Sequence, residues 1–146
     1  MARRNQIEGM RDLEKAIKKL GLLPQKCVTK SAKKGATIAL KAARKGAPYD
    51  TGDLKKGIVL KGEKLKVKGK KVYQVTLDAN MNDVFVKTSK DGKRSYYPAS
   101  QEYGFMTKNG GYIPGYRFMR HAIENNVNAM ERSMISVLSK EIDKLK

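Results

Sequence analysis

The segment KGIVLKGEKLKVKGKKVYQVTLD, residues 56–78, decides the fold class of this chain. Apolar residues recur at every second position in two runs, Leu65 and Val67 and then Tyr73, Val75 and Leu77. A period of two is typical of a half-buried β-strand. Gly62, and Gly69 with Lys70, predict hairpin turns between the runs. Residues 57–88 are therefore predicted to form antiparallel strands, with residues 83–88 as a further short strand.

Before this segment the spacing of apolar residues is helical. Residues 7–20 predict an amphipathic helix that ends at Gly21 and Pro24, because glycine and proline are common stop signals. Residues 25–45 predict a second helix, which ends at Gly46 and Pro48. Its stripe consists mostly of small side chains: Val28, Ala32, Ala36, Ala39 and Ala43. The lone cysteine, Cys27, is expected to be a half-buried residue of this helix.

The second half of the chain adds turns and a final helix. Asp50, Thr51 and Gly52 predict a turn, in which Thr51 or Asp53 could cap a short helix. Residues 89–95 and 107–115 are predicted to be mobile loops. Residues 116–145 predict a long helix with one apolar stripe. The expected fold is a single α+β domain over residues 1–146, with residues 1–6 flexible. It has two N-terminal helices, a central antiparallel sheet with long loops, and a long C-terminal helix packed on the sheet.

The charge is strongly positive and unevenly distributed. The net charge is +18, and residues 1–71 hold 21 Lys and Arg against 6 Asp and Glu. Such a field favours polyanions or acidic protein surfaces as partners. The candidate contacts are the basic residues of the second predicted helix: Lys33, Lys34, Lys41, Arg44 and Lys45. One function compatible with this charge is a basic nucleic-acid-binding protein, such as a nucleoid or packaging accessory.

The sequence offers little chemistry. With one histidine, His121, and one cysteine, no zinc site and no intrachain disulfide can form. Asp50 and Asp53 are explained by the turn, and Glu102 by an exposed strand end. We therefore predict no catalytic residue, no metal site and no cofactor. No apolar run approaches the length of a membrane span, and the N-terminus lacks the apolar core of a signal peptide, so we expect a cytoplasmic protein without membrane partners.

Three short motifs occur in a recognisable order: KGAPYDTGDLKKGI at 45–58, YYPASQEYG at 96–104 and IPGYRFMRHAI at 113–123. Together they resemble the head–tail joining and tail-completion proteins of long-tailed bacteriophages and prophages. The resemblance extends over about residues 7–146. It implies a structural virion protein rather than an enzyme.

The resemblance also implies how the protein would act. Such proteins form homo-oligomeric rings of six or twelve subunits at the phage neck, with other neck and tail-tube proteins as partners and the genome passing through. The subunit would assemble in the host cytoplasm, where the free protein is either a monomer or already an oligomer, and would then be part of the virion. The candidate assembly residues are Glu102, Tyr103, Gly104, Lys108, Gly110, Gly111, Arg117 and Arg120. Phe118, Met119 and Ile123 would anchor the last helix in the core, and Glu102 would pair with a lysine of its own or a neighbouring subunit.

Overall fold

The computed structural model describes residues 10–144, with side chains described at Gly21 and from Gln25 to Lys144. The predicted flexible residues 1–6, and Leu145 of the last predicted helix, lie outside this range. The α+β class is confirmed. The elements in chain order are α1 Met10–Gly46, α2 Asp53–Gly57, β1 Ile58–Gly62, β2 Tyr73–Leu77, a 3-10 turn Ala79–Met81, α3 Asn82–Phe85, β3 Val86–Thr88, β4 Arg94–Tyr96, α4 Tyr97–Tyr103, β5 Gly104–Met106, β6 Tyr112–Pro114, α5 Phe118–Glu124 and α6 Val127–Asp143.

The strands form three separate antiparallel pairs instead of one central sheet. β1 pairs with β2, β3 with β4, and β5 with β6, so each pair is a hairpin. The strand predicted around Leu65 and Val67 is wrong, because residues 63–72 connect β1 to β2 and these two side chains are 50% and 60% exposed. Alternation with lysine at every other position does not create a strand when no partner strand lies beside it. The predicted turn near Gly69 is present, with Lys70 donating to the Val67 carbonyl.

A single helix, α1, replaces the two helices predicted before the strands. It continues through Gly21 and Pro24, where the sequence predicts a break. A proline inside a helix removes one backbone hydrogen bond and costs about 3 kcal/mol, which the remaining turns of a long packed helix can offset. The predicted end at Gly46 is confirmed.

The buried stripe of α1 agrees with the predicted one at Ala39 and Ala43, but before them it is shifted by one residue. From Gln25 onward, its buried positions follow each other at intervals of four: Cys27, Ser31, Gly35, Ala39, Ala43 and, just beyond the helix, Ala47. Cys27 is thus fully buried rather than half-buried. These small side chains let α6 approach closely. Ser31 Oγ donates to the Met134 carbonyl at 2.8 Å, and a Cβ on Gly35 would lie 2.5 Å from Met134 Sδ.

The last predicted helix is divided into α5 and α6 at Asn125 and Asn126. The Asn126 side chain donates to the Ala122 carbonyl at 2.9 Å, and its backbone is not helical. Asparagine side chains compete in this way with the backbone bonds of a helix, which explains the break. α6 packs mainly along α1, and α5 packs against α1 as well.

The core lies where the C-terminal half of α1 meets α2, β1, α3 and α5. Its fully or nearly buried members are Ala43, Ala47, Leu54, Ile58, Phe85, Phe118 and Ala122. Phe85 packs edge-on against Tyr96, with ring centroids 6.0 Å apart. Phe85 ends α3, so the strand predicted over residues 83–88 is confined to β3. Burial of Phe85 explains this difference, since the short helix turns the ring inward before the strand begins.

The turn before α2 is present, but its capping differs from the prediction. Gly52 occupies the N-cap position in the left-handed conformation, with φ 87°, and makes no side-chain cap. Thr51 instead donates its hydroxyl to the Asp53 carboxylate at 2.6 Å. This contact closes the turn and directs the chain into α2.

Candidate assembly surface

Glu102 is the structural centre of the region between α4 and α5. It is 7% exposed. Its Oε2 accepts a hydrogen bond from the Met119 amide at 3.0 Å, and its Oε1 accepts from the Arg120 amide at 3.2 Å. The first amides of a helix have no partner inside the helix, and a carboxylate at that end also meets the positive end of the helix dipole. Glu102 therefore caps α5. It is not the exposed strand-end carboxylate expected from sequence, and its described partners are these amides rather than a lysine.

Two glycines fix the base of the β5–β6 hairpin. Gly104 has φ 84°, and a Cβ there would lie 2.1 Å from the Ile113 carbonyl oxygen. A Cβ on Gly115 would lie 2.4 Å from the Glu102 carbonyl oxygen. Only glycine allows the two backbones to approach so closely. Next to this point the Tyr116 amide donates to the Gln101 carbonyl at 2.7 Å, so the hairpin base is tied to α4.

The hairpin exposes an unusual number of large apolar side chains. Their exposed fractions lie between 45% and 70%, and they belong to Tyr103, Phe105, Met106, Tyr112, Ile113 and Tyr116. We call these six residues the apolar hairpin surface. The register pairs Phe105 with Ile113 and Met106 with Tyr112, so these four side chains cover both faces of the hairpin. Scattered apolar residues are normal on a protein surface, but their concentration on one short exposed element makes it a candidate contact site. Tyr103 was among the predicted assembly residues; the other five were not.

The tip of this hairpin lies beside the tip of the β3–β4 hairpin. Lys108 Nζ is 3.7 Å from Asp91 Oδ2, and both side chains are largely exposed. Gly110, with φ 80°, and Gly111 form the turn with Thr107, whose amide donates to the Gly111 carbonyl at 2.7 Å. An exposed ion pair of this kind contributes little stability. It shows that the two loops predicted at 89–95 and 107–115 are neighbours, although residues 112–114 of the second one form β6 and residue 94 begins β4. Their mobility stays a prediction.

The predicted residues at the start of α5 have different environments. Arg117 is exposed and adopts φ 49°, the left-handed conformation, at the N-cap. Arg120 is exposed and pairs with Glu124 at 2.7 Å. This hydrogen bond lowers the pKa of Glu124 and raises that of Arg120. Phe118 is buried and Met119 is half-buried, as expected for anchors. Ile123 is 50% exposed, so its prediction as a core anchor is wrong. Phe118 and Ala122, four residues apart, form the inward face of this short helix and turn Ile123 outward.

Asp50 and Asp53 lie near each other, but the histidine is not among the residues beside them. Asp50 borders a shallow depression with Asp53, Val84 and Tyr97, whereas His121 borders another beside Phe118. Burial raises the pKa of Tyr97, with smaller contributions from Asp50 and Tyr116. Among the described residues, no group of three or more His, Cys, Asp or Glu side chains is placed to hold a metal ion. None of the described helices combines the length and the hydropathy that a bilayer-spanning segment requires.

The candidate contacts for a polyanion all lie on α1. Lys33, Lys34, Lys41, Arg44 and Lys45 are exposed. The Arg44 guanidinium donates to the Ile58 carbonyl at 3.0 Å from Nε and 2.8 Å from Nη2, and so ties α1 to β1. These residues are far along the chain from the hairpin surface, although Lys45 and Tyr116 border the same depression.

Comparison with protein families gives one match. The family described as "Bacteriophage HK97-gp10, putative tail-component" matches residues 11–98, which is more than half of the chain. The chain belongs to this family of bacteriophage tail components. No curated protein and no solved structure matches it significantly. The matched residues run from α1 to the start of α4, so the first of the three motifs lies inside the match and the third, with the β5–β6 hairpin, lies beyond it.

Sequence reasoning missed most of the apolar hairpin surface for a definable reason. Phe105 and Met106 precede the Gly-rich turn, and Tyr112 and Ile113 follow it. Two short apolar runs around Asn-Gly-Gly are the signal of a hairpin. The glycines and the lysine of the turn are typical of a polar loop, and residues 107–115 were therefore predicted to be one.

Proposed function

We propose that this tail component is a structural protein of the phage neck, which joins or completes the tail at the head–tail interface by forming a homo-oligomeric ring. Membership in the tail-component family supports a role in the virion. The observation that carries the more specific role is the β5–β6 hairpin, which presents six large exposed apolar side chains on a base fixed by Glu102, Gly104 and Gly115.

A ring subunit needs a contact that repeats with a constant rotation. A hairpin fixed at its base meets this need, because its direction relative to the helices is set within each subunit. Tyr103 and the other members of the apolar hairpin surface supply the area that is buried on contact. Lys108, Gly110 and Gly111 form the tip, and Arg117 and Arg120 border the base, so these predicted assembly residues belong to the same proposed interface. Glu102 and Gly104 act by holding the hairpin in place.

This role sets the partners and the site of action. The subunit binds other copies of itself, and the ring binds the neighbouring neck and tail-tube proteins. Assembly takes place in the host cytoplasm, and the protein remains in the neck of the virion. No step of this role requires a cofactor or a catalytic residue.

Electron microscopy of a lysate tests the proposal. A phage or induced prophage that lacks this gene should produce DNA-filled heads beside separate tails, because the joint between them is missing. Supplying the intact gene from a plasmid should restore complete particles. Complete particles in the lysate of the deletion strain would contradict the proposal.

A further inference from the structure

We infer that α1 and the loop between β1 and β2 together bind the phosphate backbone of a nucleic acid duplex. The binding strip has two parts. The basic ridge consists of six exposed basic residues of α1, namely Lys26, Lys33, Lys34, Lys41, Arg44 and Lys45. The lysine loop is residues 63–71, with Lys64, Lys66, Lys68, Lys70 and Lys71. This inference concerns the single chain and does not depend on the formation of a ring.

Between Lys26 and Lys45, the basic ridge contains no acidic residue of its own helix. Successive residues of a helix are rotated by about 100°, which places all six basic residues within a sector of about 120°. From Lys26 to Lys45 the ridge is about 28 Å long at 1.5 Å per residue. No Asp or Glu occurs between Glu14 and Asp50. Lys30, a further exposed basic residue within the same sector, pairs with Glu141 of α6 at 2.6 Å, so one carboxylate borders the ridge there.

The lysine loop lies beside the ridge because both ends of its hairpin are bound to α1. At one end, Arg44 of the ridge holds the Ile58 carbonyl. At the other, Gln25 Oε1 accepts a hydrogen bond from the Gly69 amide at 2.7 Å. The hairpin therefore follows α1 from Arg44 to Gln25. Residues 63–70 are exposed, and Glu63 is the one acidic residue of the loop. Five more lysines are thus added along the same part of the molecule.

The composition of the strip favours phosphates over an acidic protein surface. Interfaces between proteins are depleted in lysine and contain an apolar centre. None of the large exposed apolar side chains of the described residues belongs to α1, and two, Leu65 and Val67, belong to the loop. A duplex carries one phosphate per about 1.7 Å of its axis, so about 28 Å of duplex presents roughly 16 phosphates to such a strip.

The strip is suited to backbone contact rather than to base recognition. Lysine binds phosphate as a point charge, and contacts to phosphates position a protein on the duplex without reading its sequence. Arg44 is the one ridge residue with a two-pronged donor, and its guanidinium is occupied by the Ile58 carbonyl. Binding should therefore be independent of sequence and strongly dependent on salt.

Fluorescence anisotropy tests this inference with the purified full chain and a labelled 20-base-pair duplex of mixed sequence, over a series of NaCl concentrations. The ridge variant K33Q/K34Q/K41Q/K45Q should lower the slope of log affinity against log salt by about 3–4, since each neutralised phosphate contributes about 0.9. The loop variant K64Q/K66Q/K68Q/K70Q should lower it as well. Because all these lysines are exposed, the unfolding temperature should stay that of the unchanged chain.

The control variant K87Q/K90Q/K93Q/R94Q removes the same charge from the exposed β3–β4 hairpin and should keep the original slope. Absence of duplex binding, or equal loss in the control and ridge variants, would overturn the inference. So would binding of polyglutamate as tight as that of the duplex, which would indicate an acidic protein partner. A second duplex of unrelated sequence should bind within about twofold. Failure of this test would not contradict the proposed ring, because neck assembly is measured separately in lysates.

Discussion

At the scale of single residues, Glu102 connects three elements of the chain. It belongs to α4, its backbone borders the base of the β5–β6 hairpin, and its carboxylate accepts the first amides of α5. A buried carboxylate is costly unless it is hydrogen-bonded, and here both oxygens are. The orientation of the hairpin relative to α5 therefore depends on this side chain.

Replacing Glu102 by alanine should lower the free energy of unfolding by about 1–3 kcal/mol, because the amides of Met119 and Arg120 lose their acceptors. The Glu102→Gln variant should lose less, since one amide oxygen still accepts a hydrogen bond. Urea unfolding measures both values. Equal stability of the alanine variant and the unchanged chain would show that α5 does not need this cap.

Gly104 and Gly110 form a matched pair for a second test. Both have positive φ, 84° and 80°, but only at Gly104 would a Cβ meet backbone atoms, whereas at Gly110 nothing lies within 4 Å. Gly110→Ala should cost about 1 kcal/mol, from the left-handed conformation alone. Gly104→Ala should cost about 3 kcal/mol, because overpacking adds to that strain. Thermal unfolding of the two variants compares them, and similar losses would contradict the close approach at the hairpin base.

At the scale of elements, the contact between α1 and α6 combines close packing with charge. Glu141 accepts hydrogen bonds from Lys30 at 2.6 Å and from Lys144 at 2.9 Å. Both bonds lower the pKa of Glu141, and the bond from Lys30 makes the larger contribution. A carboxylate whose pKa is lower in the folded chain stabilises the fold above its ordinary pKa of about 4.3, and this contribution is lost as the pH falls through the lowered value.

The Glu141→Gln variant should therefore unfold at a lower temperature than the unchanged chain at pH 7, and the difference should vanish at an acidic pH below the lowered pKa of Glu141. Thermal unfolding monitored by circular dichroism at both pH values measures it. Glu131→Gln is the control, because it removes the same charge from an exposed position of the same helix. If the Glu141 and Glu131 variants behaved alike at pH 7, the ion pair with Lys30 would contribute nothing specific.

The elements also show how far local sequence signals extend. The turn at Asp50–Gly52, the end of α1 at Gly46 and the strand β2 were predicted, because glycine, proline and strict alternation act over a few residues. The continuity of α1 through Pro24 was not predicted. A stop signal has a fixed local cost, and whether the helix ends there depends on contacts made elsewhere in the chain. The prediction of one central sheet failed for the same reason, because pairing between different hairpins depends on segments that are distant in the chain.

The candidate site was predicted in part. Residues 102–120 were identified from motif resemblance, and Phe118 as an anchor followed from its position in the last motif. The cap formed by Glu102 was missed, because a carboxylate that lies 17 and 18 residues before the amides it accepts from leaves no local pattern. The prediction for Ile123 was wrong because it assumed one apolar stripe along a single long helix. The break at Asn125 and Asn126 shortens α5, and the buried residues of this short helix are Phe118 and Ala122.

At the scale of the whole molecule, most of the positive charge and most of the exposed apolar surface belong to different parts of the chain. Residues 1–71 carry a net +15 and include the basic ridge and the lysine loop, whereas residues 72–146 carry a net +3 and include the apolar hairpin surface. Surfaces of such different chemistry suit different partners. Under the two proposals made above, a polyanion binds α1 while the hairpin contacts another protein.

The hairpin variant F105S/M106S tests the protein-binding half of this arrangement. The unfolding temperature should change by only a few degrees, since both side chains are exposed, at 46% and 66%. The variant should nevertheless fail to restore infectious particles to a phage that lacks the gene, because the contact between subunits loses its apolar centre. L65S/V67S is the matched control, as it removes two side chains exposed to a similar extent, at 50% and 60%, from the lysine loop. It should restore the titre. Full complementation by F105S/M106S would place the subunit contact elsewhere. Loss of folding in that variant would show that the hairpin also stabilises the single chain. The milder Met106→Ser variant would then separate the effect on folding from the effect on assembly.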